Sequence, residues 1–172
     1  MKMCVLTAMI LALPFCNREA LAFDNEPVKL TNLELLLGKW YEIARFDHRF
    51  ERGQDNVTAF YSQDAKGNLR VSNMGWKDGK IKSANGFIKL TDTSGLLRVS
   101  FFRPFYSDYR ILMMAPNNSY MLVGGSSKNY LWILSRTPTL SQANKNAAMR
   151  EAIRRGYMVS ELLWIDQSQN MK

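Results

Sequence analysis

Between Trp40 and Ser135 the chain is written as short β-type runs separated by turn residues, and this pattern narrows its possible folds more than any other feature. The runs lie near Trp40–Phe46, Asn56–Ser62, Leu69–Gly75, Lys82–Leu90, Leu96–Phe102, Tyr109–Met114, Tyr120–Gly125 and Tyr130–Ser135. Between them stand Asp64-Ala65-Lys66-Gly67-Asn68, Lys77-Asp78-Gly79-Lys80, Thr93-Ser94-Gly95 and Pro116-Asn117-Asn118, residue types that supply tight-turn conformations. Eight consecutive strands with short links predict an all-β domain, an eight-stranded up-and-down antiparallel β-barrel. At this strand count the interior either fills with side chains or holds one small ligand. After Pro138 the pattern changes. Ser141 can cap a helix that runs to about Arg155 with Gly156 as its stop. Ala143, Ala147, Ala148 and Ala152 form a small-residue stripe suited to packing outside the barrel wall. Val159–Ile165 reads as a short extra strand, and Asp166–Lys172 as a polar tail.

The first residues have the grammar of a targeting segment. Lys2 is followed by an apolar stretch from Val5 to Phe15, and Ala20-Leu21-Ala22 matches the small-residue pattern of a cleavage site. Residues 1–22 are therefore expected to be a signal peptide and residues 23–172 a single domain. Cys4 and Cys16, the only cysteines, both fall in the leader, so the barrel is expected to have neither a disulfide nor a Cys-based metal site. At 47% hydrophobic residues, the 172-residue chain has enough apolar surface for one sizeable core. No run of 18 apolar residues marks a membrane-spanning helix.

Two stretches outside the alternation carry more. Gly38-Lys39-Trp40 puts a flexible turn directly before a large aromatic at the start of the first strand. Ninety-six residues beyond Trp40, the last strand ends at Arg136. If the strands close into a barrel, the guanidinium can lie over the indole at one end. With these residues and the helix after Pro138, the chain resembles the lipocalin family over roughly Leu33 to Ile165. Within it, the run Trp40–Phe50, the Val99-Ser100-Phe101-Phe102 strand and Tyr130–Pro138 are most similar to the bacterial, outer-membrane lipoprotein type, relatives of apolipoprotein D. The acidic-aromatic turn of that family between strands six and seven is replaced here by Ala115-Pro116-Asn117-Asn118. The resemblance also bears on processing: Cys16 stands where a bacterial lipoprotein carries its acylated cysteine, although Phe15 occupies a position that favours a small residue. Lipidation at Cys16 and cleavage after Ala22 both stay open.

Alternate residues of a barrel strand point inward. Leu69, Val71 and Asn73, Val99 with Phe101, Tyr109 with Ile111 and Met113, and Met121 with Val123 are the expected lining, apolar with Asn73 and Tyr109 as polar fixing points. A barrel simply filled by these side chains is the rival reading. With Gly38, Trp40 and Arg136 closing one end, the links after strands one, three, five and seven fall at the other. They carry Arg49, Arg52, Lys77, Lys80, Arg103 and Lys128, cations that suit the acidic head of a fatty acid or lysophospholipid. Phe105, Tyr106 and Trp76 near the same rim could meet a lipid surface or a second copy.

The formal charge of +8, or +7 once Lys2, Arg18 and Glu19 leave with the leader, favours anionic partners. No helix-turn-helix, zinc or RNA-binding signature accompanies it, so nucleic acid is not expected. The single histidine beyond the leader, His48 in Asp47-His48-Arg49, reads as a solvated loop residue. Neither a catalytic triad nor a paired-carboxylate motif nor a metal cluster stands out. The expectation is a binding protein without cofactor or metal, monomer or homodimer, with a membrane surface as partner through a lipid anchor; an enzyme on the same barrel is the alternative.

Overall fold

The computed structural model describes residues 22–171. The expected leader, apart from Ala22, and the acylation candidate Cys16 lie outside these residues, as does Lys172.

Eight strands close on themselves: β1 (Gly38–Arg45), β2 (Asp55–Gln63), β3 (Leu69–Lys77), β4 (Lys80–Leu90), β5 (Leu96–Phe102), β6 (Phe105–Met114), β7 (Tyr120–Gly124) and β8 (Leu131–Ser135). Every neighbouring pair is antiparallel and in sequence order, and β1 joins both β2 and β8, so no edge of the ring is left over. Local chemistry explains the corners. The two-residue link between β3 and β4 calls for left-handed backbone at both positions. Asp78 and Gly79 provide it, both with positive φ. Between β2 and β3, the Asp64 carboxylate accepts from the backbone N–H groups of Lys66 and Asn68 and folds the link back on itself.

Period-two alternation sorts the apolar residues into two cores. Leu36, Trp40, Tyr61, Leu69, Val71, Ile88, Leu97, Ile111, Met121, Val123 and Leu134 fill the lumen. Ile43, Leu112, Tyr120, Leu122, Leu131 and Ile133 face outward and pack under helix α1 (Gln142–Arg154) through its Ala148 and Ala152. β7 is buried on both faces for this reason. Ser141 caps α1 by accepting from Asn144 N–H, and Gly156, in the left-handed region, ends it. Arg155 then ties the helix to the wall by donating to Leu112 O at 2.8 Å and Glu26 O at 2.7 Å.

Three expectations are corrected. Met113 does not line the lumen: a bulge opposite Val123–Leu122 leaves Met113 packed with the outer cluster and returns Met114 to the interior. Val159–Ile165 is a 3-10 turn (Val159–Glu161) followed by a two-residue strand, β9 (Leu163–Trp164), on the outer edge of β1. The tail is no free polar end, because Gln167 is buried and donates to Glu42 O and Val57 O, with a 3-10 turn at Ser168–Met171 behind it.

Candidate functional site

The lumen is sealed at one end. The 3-10 turn Leu33–Leu35, capped by Asn32, carries the chain beneath the barrel and sets Leu36 into it. Trp40, fully buried, donates from Nε1 to Leu36 O at 2.7 Å. The Arg136 guanidinium lies 3.7 Å from the centre of the Trp40 ring. It also donates to Leu35 O, Leu37 O and Lys39 O. Gly38, with positive φ, brings the backbone close enough that a Cβ there would stand 3.4 Å from Arg136 Nη1.

Above the seal, a hydrogen bond spans the lumen. Tyr61 and Tyr109 hydroxyls are 2.6 Å apart, and β2 and β6 stand four strands from each other in either direction around the ring. Burial pushes both phenols up, so both stay protonated at neutral pH. One hydroxyl donates to the other, which leaves one O–H for something other than its twin. Asn73, at the lumen-facing position after Val71, keeps its Oδ1 without a partner among the described residues.

Along β3, β5 and β6 burial falls off toward the mouth: Val71, Leu97 and Ile111 are buried, whereas Asn73, Val99, Phe101 and Tyr109 are half-buried. Val123 stays buried beside half-buried Trp132, and Met114, at the closed end opposite Met121, is half-buried. On β4 the residues from Lys80 to Asn85 are exposed on both faces, Ala84 on the lumen side included. Two shallow concavities mark the outer surface: about 260 Å³ beside Arg70, Ser72, Asn85 and Phe87, and about 200 Å³ between Leu140, Lys145 and Trp164.

One side of the mouth is covered. A bulge in β1 between Glu42 and Ala44 lets both Glu42 and Arg45 be buried at neighbouring positions, where Arg45 donates to the Glu42 carboxyl. Arg45 also donates to Glu51 O at 2.7 Å and Gln54 O at 3.0 Å, drawing the β1–β2 loop inward. Glu51 accepts from Trp132 Nε1 at 3.1 Å. His48, expected in solvent, is 7% exposed and stacks on Phe50 with ring centres 4.2 Å apart. Its Nε2 is 3.2 Å from Glu51 Oε2, at an angle that makes no hydrogen bond. Burial pushes both carboxyls up, and the neighbouring Glu51 charge adds to the rise at Glu42 while Arg45 opposes it. Burial, then Arg45, push His48 down to about 4, so it is neutral. Arg45 and these groups are engaged with one another and with the loop.

The expected mouth cations are on the loops and hairpin tips of this end but differ in setting. Arg49, Lys80 and Lys128 are exposed. Arg52 pairs with Asp47, and Lys77 Nζ donates to Arg52 O. Arg103 turns to the outer wall, its guanidinium 3.4 Å from the centre of the Phe87 ring with Arg70 also over that ring. Sequence reading missed Glu42, Arg45, Tyr61 and Trp132. Alternation from Trp40 points to Glu42 directly; Arg45 is hidden by the bulge. Among the described residues no three His, Cys, Asp or Glu side chains gather as a metal would need.

Known proteins share this design. The family model for the Lipocalin-like domain matches residues 31–167. Outer membrane lipoprotein Blc of Escherichia coli (strain K12) is 45% identical over 135 residues, which cover 76% of each chain. Apolipoprotein D of Rattus norvegicus is 32% identical over 114 residues, 60% of each chain. The cockroach allergen Per a 4 superposes with a TM-score of 0.70 at 17% identity, over 88% of this chain and 98% of the allergen, a likeness of fold. From its sealed barrel, its Trp40–Arg136 pair and these matches, the chain belongs to the lipocalin family.

Proposed function

We propose that the chain is an exported binding and carrier protein of the cell envelope, which encloses the hydrocarbon tail of a fatty acid, lysophospholipid or similar molecule and leaves its head at the mouth. The observation that carries this reading is the gradient of burial along one apolar lumen, from a sealed floor at Trp40 to half-buried Val99, Phe101 and Trp132 at the top. The relative from E. coli, named an outer membrane lipoprotein, supports the envelope location and an acyl anchor at Cys16. No chemical step is part of the proposal.

Energetics favour it conditionally. Burying about 14 methylenes at roughly 0.8 kcal/mol each yields about 11 kcal/mol gross, against an association cost of about 4–15 kcal/mol. The tail alone therefore does not decide affinity. Head-group contacts at Arg49, Lys80 and Lys128, and the polar atoms of Asn73 and the tyrosine pair, tip the balance.

Native mass spectrometry of the protein purified from its own envelope, with extraction of whatever accompanies it, tests this reading. A stoichiometric fatty acid or lysophospholipid is expected. An empty protein whose tryptophan fluorescence ignores added lipid would replace the carrier with a filled, structural barrel.

A further inference from the structure

On the uncovered side of the mouth, two hairpins end in the same way. At the β3–β4 tip, Trp76 stands opposite Ile81, and Lys77 opposite Lys80, around Asp78-Gly79. At the β5–β6 tip, Phe102 stands opposite Phe105 around Arg103-Pro104. Phe102 and Phe105 are 82% and 78% exposed, Ile81 57%, and Phe50 on the β1–β2 loop 61%. Each of these side chains would gain by leaving water; Phe50 is stacked on one face by His48.

The charges carry a second argument. Like charges directly opposed on paired strands repel, and Lys77 with Lys80 is such a pair. With Lys82 and Arg103, the two tips hold four cations against one carboxylate, Asp78. An external anionic surface relieves that repulsion. Apolar tips collared by cations are the arrangement that binds a lipid interface, aromatic groups at the acyl boundary and ammonium or guanidinium groups among phosphates. The shape selects lipid over protein. The β4–β5 ladder ends at Phe87–Ser100, so above it the two hairpins are not bonded to each other and offer separate prongs rather than one continuous face. Prongs enter a deformable phase more readily than they match a shaped partner.

We infer that this rim is a membrane-docking surface that seats the open end of the barrel on an anionic lipid layer, with Ile81, Phe102 and Phe105 inserted and Lys80 and Lys82 on the headgroups, while Lys77 on Arg52 O and Arg103 on Phe87 add positive charge behind them. It acts independently of any acyl anchor and turns the lumen toward the lipid. The test uses the full chain with Cys16→Ser, so that the leader contributes equally to every sample. Vesicles of phosphatidylcholine alone, or mixed with phosphatidylglycerol, are sedimented with this parent, with Phe102→Ser/Phe105→Ser, and with Lys80→Gln/Lys82→Gln. The parent is expected to prefer the mixed vesicles and to come off with salt, and each variant to lose at least about tenfold in binding. All positions being exposed, thermal midpoints should not move. Fatty-acid binding by Phe102→Ser/Phe105→Ser in vesicle-free solution should match the parent, which separates failure of docking from failure of the carrier reading. Parent and variants binding alike, a parent that ignores anionic vesicles, or a parent dimer that Phe102→Ser/Phe105→Ser dissociates would each overturn the inference, the last by assigning the rim to a second copy.

Discussion

An arginine sits at each end of the barrel, and the two are satisfied in opposite ways. Arg136 lies on Trp40 and donates to three backbone carbonyls, so dipoles and a π face meet its charge. Arg45, 2% exposed, is met by the Glu42 carboxyl, with Glu51 and His48 beside it. Nothing that receives Arg136 titrates near neutrality, whereas the groups around Arg45 include two acids and an imidazole. The same side chain therefore builds a floor indifferent to pH and a mouth whose order depends on protons.

The contrast can be broken at its strongest point first. Trp40→Ala should cost about 3–5 kcal/mol through the cavity it leaves, measured by urea unfolding, and the loss should be the same at pH 5 and pH 8. A loss that changes between them would mean that the two ends are coupled.

Glu51→Gln sharpens the comparison with a smaller effect, visible as a change with pH. Burial raises Glu42 to about 8, so the folded protein keeps a proton that the unfolded chain has released. This contribution is complete below the ordinary value of 4.5 and is lost as pH rises through about 8. His48, lowered to about 4, contributes in the opposite sense: fully above 6.5, and lost as pH falls through about 4. Stability should thus decline toward alkaline pH. In Glu51→Gln the decline should be shallower and centred lower, because a charge that raises Glu42 is gone; an unchanged profile would remove the mouth cluster as its source.

Tyr109→Phe should have the smallest effect, about 1 kcal/mol for a hydrogen bond whose partner hydroxyl stays in the lumen. Thermal unfolding measures it. A loss several times larger would mean that the tyrosine bridge holds the wall together rather than merely crossing it.

All eight strands were legible to within a few residues, because alternation and turn chemistry act over neighbours. Asp78-Gly79 announces its hairpin in two letters. What escaped depends on geometry that neighbours do not encode. One extra residue in β6 moved Met113 to the outer wall, and one in β1 brought Arg45 beside Glu42. His48 looked like a loop residue and is one, but Arg45 reaches across to pull that loop inward. Tyr61 and Tyr109 are 48 residues apart and meet only because the ring closes. Gln167 and the tail around it could be placed only by their partners on β1 and β2.

The seal at Trp40 also says something about the order of events in folding. Its three arginine bonds join residues 97 to 101 positions apart, and β1 must find β8 before any of them can form. Such distant pairings are slow, since the loop between them has to be ordered first. A chain delivered N-terminus first therefore holds Trp40 unsealed until its eighth strand emerges, and only then is the floor of the barrel set.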